Sequence, residues 1–304
     1  MYGKRLNFKR ILFFILFIFI FIFIGFILKK FVFKNNGQDI INYYENKAAS
    51  VHFIDVGQGD SELIVCNKKT VLIDAGEKDK GLLVVKYLKD CGIKKLDYII
   101  ATHPHTDHIG GLNEVINSFE VGEIIMPKIS LRLTPTSYTY KKFLQNIKNK
   151  KIKVRKATKG DVLNFGNGYV KIIGPVSENY SNLNNFSVGC IFKHNGFSFL
   201  FCGDMEKDAE KDVLKTKENI KADVFKLSHH GSRTSNNIDF LEAVRPSYCV
   251  VEAGKNNRYN HPHKYVMKLL KRLNVKKTFQ TKNDGTVVFL IKDGKLSYKT
   301  QKGG

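Results

Sequence analysis

Between Thr102 and His108 the chain reads Thr-His-Pro-His-Thr-Asp-His, placing three imidazoles and one carboxylate within six residues. Borderline-soft divalent metals such as zinc favour imidazole nitrogen and carboxylate oxygen. In an extended turn His103 and His105 point to one side, while Asp107 and His108 turn towards a second position. One short loop thereby offers half the ligands of two adjacent ions. Nine histidines occur in all, and seven fall into three groups: this loop, His229-His230, and His261 with His263. Scattered core or surface histidines do not group in this way, so the grouping predicts one polynuclear site. His52 and His194 stand apart and read as structural.

The elements that must position these groups appear as apolar runs between turn signals. Residues 96–101 form a strand-like run that ends at the imidazole loop, with Gly110-Gly111 just beyond it. Runs at 51–56, 62–66 and 71–74 have strand length with turn residues between them. Helical spacing covers 80–90, 112–119 and 138–149, the last with Tyr140, Phe143, Leu144 and Ile147 on one face. A short strand is expected at 123–126. Residues 188–192 and 197–202 read as a hairpin across His194-Asn195-Gly196. A helix at 206–215 follows, then a strand at 223–227 that ends near His229-His230. Segments 240–244, 248–251 and 265–273 continue the alternation. Two halves that each deliver ligands at strand ends suit two packed sheets with helices outside.

The spacing HxHxDH after a strand resembles the metallo-β-lactamase superfamily. Three further motifs narrow the resemblance to the hydrolase domain of the ComEC competence (DNA-uptake) family. They are Val51-His-Phe-Ile-Asp-Val-Gly-Gln-Gly-Asp-Ser61, Leu227-Ser-His-His-Gly-Ser232 and Arg258-Tyr-Asn-His-Pro-His263. The likeness covers roughly residues 50–290. It implies a four-layer αββα sandwich and two divalent ions, Zn2+ or Mn2+. Carried over residue by residue, it makes His103, His105, Asp107, His108, Asp204 and His229 the metal ligands, with Asp204 the bridge. His229 is the preferred ligand of the second ion, and His230 lies behind it or against substrate. Asp107 and Asp204 are the expected catalytic carboxylates. Asp74, in Leu-Ile-Asp-Ala-Gly, is expected to accept a hydrogen bond from a ligand imidazole and fix its tautomer. Asp60 either supports the site or closes a turn. One departure stands out: many superfamily members place a third histidine of the first ion before the hairpin, where this chain reads Asn184-Asn185-Phe186-Ser187. That leaves His103, His105 and the bridge, with His261 open as a recruit.

Phosphate recognition has its own candidates. Gly231-Ser232 precedes a helical segment, where backbone amides can cradle an anion. Ser232, Arg258, His261 and His263, with Arg233, all carry groups that pair with phosphate oxygens. Residues 141–159 hold nine basic side chains beside Tyr138, Tyr140 and Phe143. Such a run either tracks a nucleic-acid strand by charge and stacking, or is a solvated helix with its aromatics in the core.

The 304 residues carry a formal net charge of +22, far from the balance of an ordinary globular chain. That surplus favours anionic partners such as nucleic acid, teichoic-type polymers or anionic lipid, unless it only reflects a lysine-rich composition. Residues 11–28 are apolar or glycine throughout, with Lys9-Arg10 before and Lys29-Lys30 after. A helix of that length spans about 27 Å, enough for a bilayer core. No small-x-small cleavage pattern follows, so residues 1–34 read as a cytoplasmic tip with one transmembrane anchor, and 35–49 as a linker. Basic residues lean to the amino-terminal side, which favours an extracellular domain over 50–304. Five cysteines without a CxxC read as buried apolar residues and leave the compartment open.

Together these readings predict a membrane-anchored metal-dependent hydrolase. The resemblance implies a phosphodiesterase or nuclease that cleaves single-stranded DNA by a metal-bound hydroxide. The alternatives are a hydrolase of a substrate other than nucleic acid, and a non-catalytic DNA-binding accessory of uptake.

Overall fold

A computed structural model describes residues 49–302; the anchor at 11–28 and all but the last residue of the 35–49 linker lie outside the described residues. The first half builds strands β1 (Ala49–Phe53), β2 (Glu62–Cys66), β3 (Lys69–Ile73), β4 (Lys95–Ile100), β5 (Glu120–Met126) and β6 (Lys153–Lys156). Helices α1 (Gly81–Asp90), α2 (Thr106–Ile109), α3 (Leu112–Ser118) and α4 (Tyr138–Asn149) connect the later ones. The second half contributes β7 (Val162–Asn164), β8 (Gly168–Ile172), β9 (Cys190–His194), β10 (Phe197–Phe201), β11 (Val224–Lys226), β12 (Tyr248–Val251) and β13 (Lys277–Gln280). Its helices are α5 (Lys207–Lys215), α6 (Ile238–Val244), α7 (Lys264–Arg272) and α8 (Thr281–Asp284). The chain then returns through β14 (Val287–Lys292) and β15 (Lys295–Thr300).

Two sheets result, ordered β15-β14-β1-β2-β3-β4-β5-β6 and β13-β12-β11-β10-β9-β8-β7. Strands β3 to β6 run parallel, as do β10 to β13. Parallel strands need crossovers, and the helices that supply them cover the outer faces. Three apolar clusters follow. One lies between the sheets, from Phe53, Phe199, Phe201, Phe279 and Phe289. A second seats α1, α3 and α4 on the first sheet through Val84, Leu88, Leu112 and Phe143. The third seats α5, α6 and α7 on the second sheet through Val213, Phe240 and Val266. Strands buried on both faces therefore carry continuous apolar runs, as Leu63-Ile64-Val65-Cys66 does. All five cysteines are free and buried. Among the described residues no helix is long and apolar enough to cross a membrane.

The structure corrects several expectations. Leu144 is 38% exposed, because the buried face of α4 is Tyr140, Phe143 and Ile147. Those aromatics pack inward while Tyr138 alone stays exposed, so the 141–159 run offers charge without an aromatic ladder. Gly231-Ser232 does not lead directly into a helix, since a loop intervenes before α6 begins at Ile238. The Ser232 amide donates to the His229 carbonyl at 2.8 Å, so it is not free to cradle an anion.

Candidate metal centre

The ligand-bearing loops leave the carboxyl ends of the parallel strands, where open α/β sheets place their sites. Asp74 follows β3 and the imidazole loop follows β4. Asp204 follows β10, and His229-His230 follows β11. Two glycines let the first loop close. A Cβ on Gly59, at φ +127°, would lie 2.2 Å from the Asp107 carbonyl, and one on Gly111 would lie 2.2 Å from that of Ala75.

Asp74 is fully buried and accepts from the Thr102 amide (2.9 Å), the Thr102 hydroxyl (2.5 Å) and His108 Nδ1 (2.8 Å). That contact holds the proton on Nδ1 and turns the Nε2 lone pair of His108 inward. His230 is arranged alike: its Nδ1 donates to the Glu252 carbonyl at 2.8 Å and lies 3.1 Å from Asp60 Oδ1. Its Nε2 is 3.3 Å from Asp107 Oδ2 and 3.6 Å from Asp204 Oδ1. His108 Nε2 approaches the same Asp204 oxygen at 3.2 Å.

The other oxygen of Asp204 faces a different pair. Oδ2 lies 3.7 Å from His103 Nε2 and 3.6 Å from His229 Nε2. His105 Nδ1 is 3.0 Å from His103 Nε2, on the same side. His229 Nδ1 lies 3.2 Å from both Glu206 Oε1 and the Thr234 hydroxyl, which leaves its Nε2 directed at Asp204. One carboxylate thus divides two sets of donors. His103 and His229 stand at Oδ2, with His105 beside His103, and His108 and His230 stand at Oδ1, with Asp107 beside His230. The histidine pair splits between the two sets because both residues adopt left-handed backbone, at φ 50° and 54°.

The Asn184–Ser187 stretch, which lacks the usual histidine, buttresses the bridge. Asp204 N donates to Ser187 Oγ (3.0 Å) and Glu206 N to Asn185 Oδ1 (2.9 Å). The side-chain amide of Asn184 donates to Glu206 Oε1 at 3.0 Å, fixing the carboxylate that orients His229.

These donors fit divalent metal. His103 and His108, one from each set, and Asp204 each offer one ligand atom within 4.8 Å of the others, so the two sets lie side by side across the shared carboxylate. His108 Nε2, His230 Nε2 and Asp204 Oδ1 are buried without a well-formed hydrogen bond. Burial opposes charge on His108 and His230, yet Asp204 and then Asp60 outweigh it. His108 is held well above the usual range and His230 is pushed up to about 10. The carboxylates therefore demand positive charge, and metal ions would take the place of those protons.

Beneath the centre lies a buried ionic group that the sequence reading missed. Lys226, fully buried, donates to Asp60 Oδ2 at 2.6 Å and to the Leu227 carbonyl at 3.2 Å. Asp60, Glu62 and Glu252 form a three-carboxylate cluster around it. Burial and the neighbouring Asp60 push Glu62 up to about 8, and burial with Glu62 raises Glu252 further above its ordinary range. The ammonium supplies the cation here and keeps Asp60 charged beneath His230. A lysine inside the apolar run 223–227 was the available signal.

The remaining candidates lie around the rim. Ser232 is buried, its hydroxyl 3.0 Å from that of Thr234, within the turn itself. Arg258 lies over the Tyr259 ring at 4.9 Å. His263 Nδ1 accepts from the Arg233 amide at 3.0 Å, and the His261 ring stands 5.5 Å from that of His229.

Two sheets, outer helices and a histidine–aspartate centre at the strand ends define a metallo-β-lactamase-like domain. The chain belongs to the metallo-β-lactamase superfamily, whose model matches residues 54–251. Within it, the chain is similar to ComE operon protein 3 of Bacillus subtilis (strain 168), at 32% identity over 80% of this chain and 33% of that protein. Recombination protein 2 of Haemophilus influenzae is 29% identical over 73% of this chain and 26% of its own length. The chain thus spans about a third or less of these relatives. Among solved structures, Igni18, a metallo hydrolase from Ignicoccus hospitalis KIN4/I, shares the fold. Its TM-score is 0.52 at 15% identity, over 82% of this chain and 98% of that one.

Proposed function

We propose that this protein is a dinuclear metal-dependent phosphodiesterase that cleaves DNA, single strands in particular. The observation that carries the hydrolase reading is the division of Asp204 between two donor sets. On this reading His103, His105 and His229 hold one ion, Asp107, His108 and His230 hold the other, and Asp204 serves both. This places His230 at the second ion, where the sequence had favoured His229, and makes His229 the nitrogen that stands in for the missing histidine. When bound, two such ions, Zn2+ or Mn2+, supply an acidified water and positive charge for the leaving oxygen.

The chain's own residues do the rest. Asp74 and the Glu252 carbonyl hold protons on the Nδ1 atoms of His108 and His230 and keep both rings oriented. Asp107, more exposed than Asp204, is placed to accept the proton released by the attacking water. The nucleic-acid part of the reading is supported by the net charge of +22 and by relatives named for competence and recombination. The apolar span at 11–28 would hold the domain at the outer face of a cell membrane.

The test incubates the full-length chain with labelled single-stranded DNA under Zn2+ or Mn2+, beside Asp204→Ala. Metal-dependent cleavage is expected, lowered by about a thousandfold or more in the variant. A wild-type chain that binds two metal equivalents and leaves DNA intact would exclude DNA as its substrate.

A further inference from the structure

Next to the centre, on the side of His261, opens a cavity of about 660 Å³. Arg233, His261, His263, Lys264 and Lys282 supply its charged and imidazole lining, three asparagines and Tyr265 line it further, and no carboxylate does. Lys282 comes from α8, near the chain end, and its ammonium donates to the His261 carbonyl at 3.1 Å. Its remaining hydrogens are available to a ligand. The His263 ring accepts from the Arg233 amide through Nδ1, so its Nε2 carries the proton and can donate. His261 is 5% exposed, and its Nδ1 is buried with no hydrogen-bond partner. Ammonium, guanidinium and imidazole groups without an acid make an anion site, and one of its lining rings, His261, keeps a buried nitrogen with no hydrogen-bond partner.

Position and flanks specify the anion further. The His261 ring, which lines this cavity, stands 5.5 Å from that of His229. Two exposed aromatics border it, Tyr265 at 56% and Tyr259 at 45%. Tyr259 stacks on His261 at 5.5 Å and 20°, with Arg258 on the tyrosine ring. Bases stack on such platforms, and a bare sugar- or glycerol-phosphate chain has nothing to place there.

We propose that this cavity binds the phosphate adjacent to the scissile one in a single-stranded nucleic acid, with the neighbouring base against the exposed tyrosines. The subsite rests on the phosphodiesterase reading for its orientation, but its occupancy is measurable without metal. In the full-length chain with EDTA present, the anisotropy of fluorescein-labelled hexathymidylate reports binding alone. Lys282→Ala and Arg233→Ala should each weaken binding about five- to tenfold and lower the salt-dependence slope by roughly one. Lys295→Ala, on β15, should match wild type. Arg233 is exposed, so its variant keeps the test sound if loss of the Lys282 contact disturbs the fold.

Wild-type affinity and slope in both variants would overturn the subsite. An oligomeric glycerol phosphate that competes as well as the oligonucleotide would overturn its assignment to nucleic acid. Binding lost in both variants, in a chain whose metal-loaded form cleaves no DNA, would uphold the subsite and overturn the nuclease.

Discussion

Asp204 is the residue on which the proposed chemistry turns, since each of its oxygens faces two imidazoles from different loops. A carboxylate shared in this way reduces the repulsion between two cations held close together. The arrangement makes the adjacent histidines 229 and 230 separable. His229→Ala and His230→Ala should each retain one tight equivalent and lose the other, when metal content is measured after dialysis against a weak chelator. The loss at the affected ion should exceed the roughly 10- to 100-fold that an outer hydrogen-bonding partner costs. A His229→Ala protein with two equivalents at unchanged affinity would remove His229 from the ligand set.

At the scale of elements, the loop after β11 depends on Asn236. Its Oδ1 accepts from Ser228 N at 3.0 Å, and its Nδ2 donates to the carbonyls of Ser228 (2.9 Å) and Ser232 (3.1 Å). Its own amide donates to Glu210 Oε1 at 2.6 Å, which ties the loop to α5. Both side-chain polar atoms and the backbone amide of this fully buried residue are thus used to hold the loop in which two successive histidines adopt left-handed backbone. Asn236→Ala strips three hydrogen bonds and leaves buried backbone groups unsatisfied. It should cost about 2–4 kcal/mol in urea unfolding and weaken metal binding at both ions. Unchanged stability with unchanged metal affinity would show that the histidine loop holds its shape without this clamp.

Across the whole molecule, the two sheets bring acids from both halves of the chain to one seam. Asp60, Asp74 and Asp107 come from the first half and Asp204 from the second, so the seam gathers negative charge that Lys226 offsets only at Asp60. Metal that binds the folded seam and not the unfolded chain must stabilise the fold. At a free concentration of about 100 Kd the gain is roughly 2.7 kcal/mol per ion, or about 5–10 °C in Tm for a domain of this size. Calorimetry with Zn2+ or Mn2+ against EDTA checks this. A Tm that ignores both ions up to millimolar concentration would contradict a metal centre at the seam.

The chain's linear order determines the donor types, their grouping and the strand ends that carry them, because the signals are local. Apolar runs of strand length and three histidine groups are visible without the fold. Helix spacing at 80–90 and 138–149 and the hairpin across residues 194–196 are visible for the same reason. Tertiary structure decided which of two neighbouring histidines faces which donor set, since that depends on backbone dihedrals imposed from Asn236 and Glu210. It also decided that Leu144 faces outward and that β14 pairs with β1, across more than two hundred residues of chain. Lys226 under Asp60 and Lys282 beside His261 were equally out of reach of local pattern. Charge and hydrogen bonding act through space, so groups far apart in sequence become one site only when the two sheets close on each other.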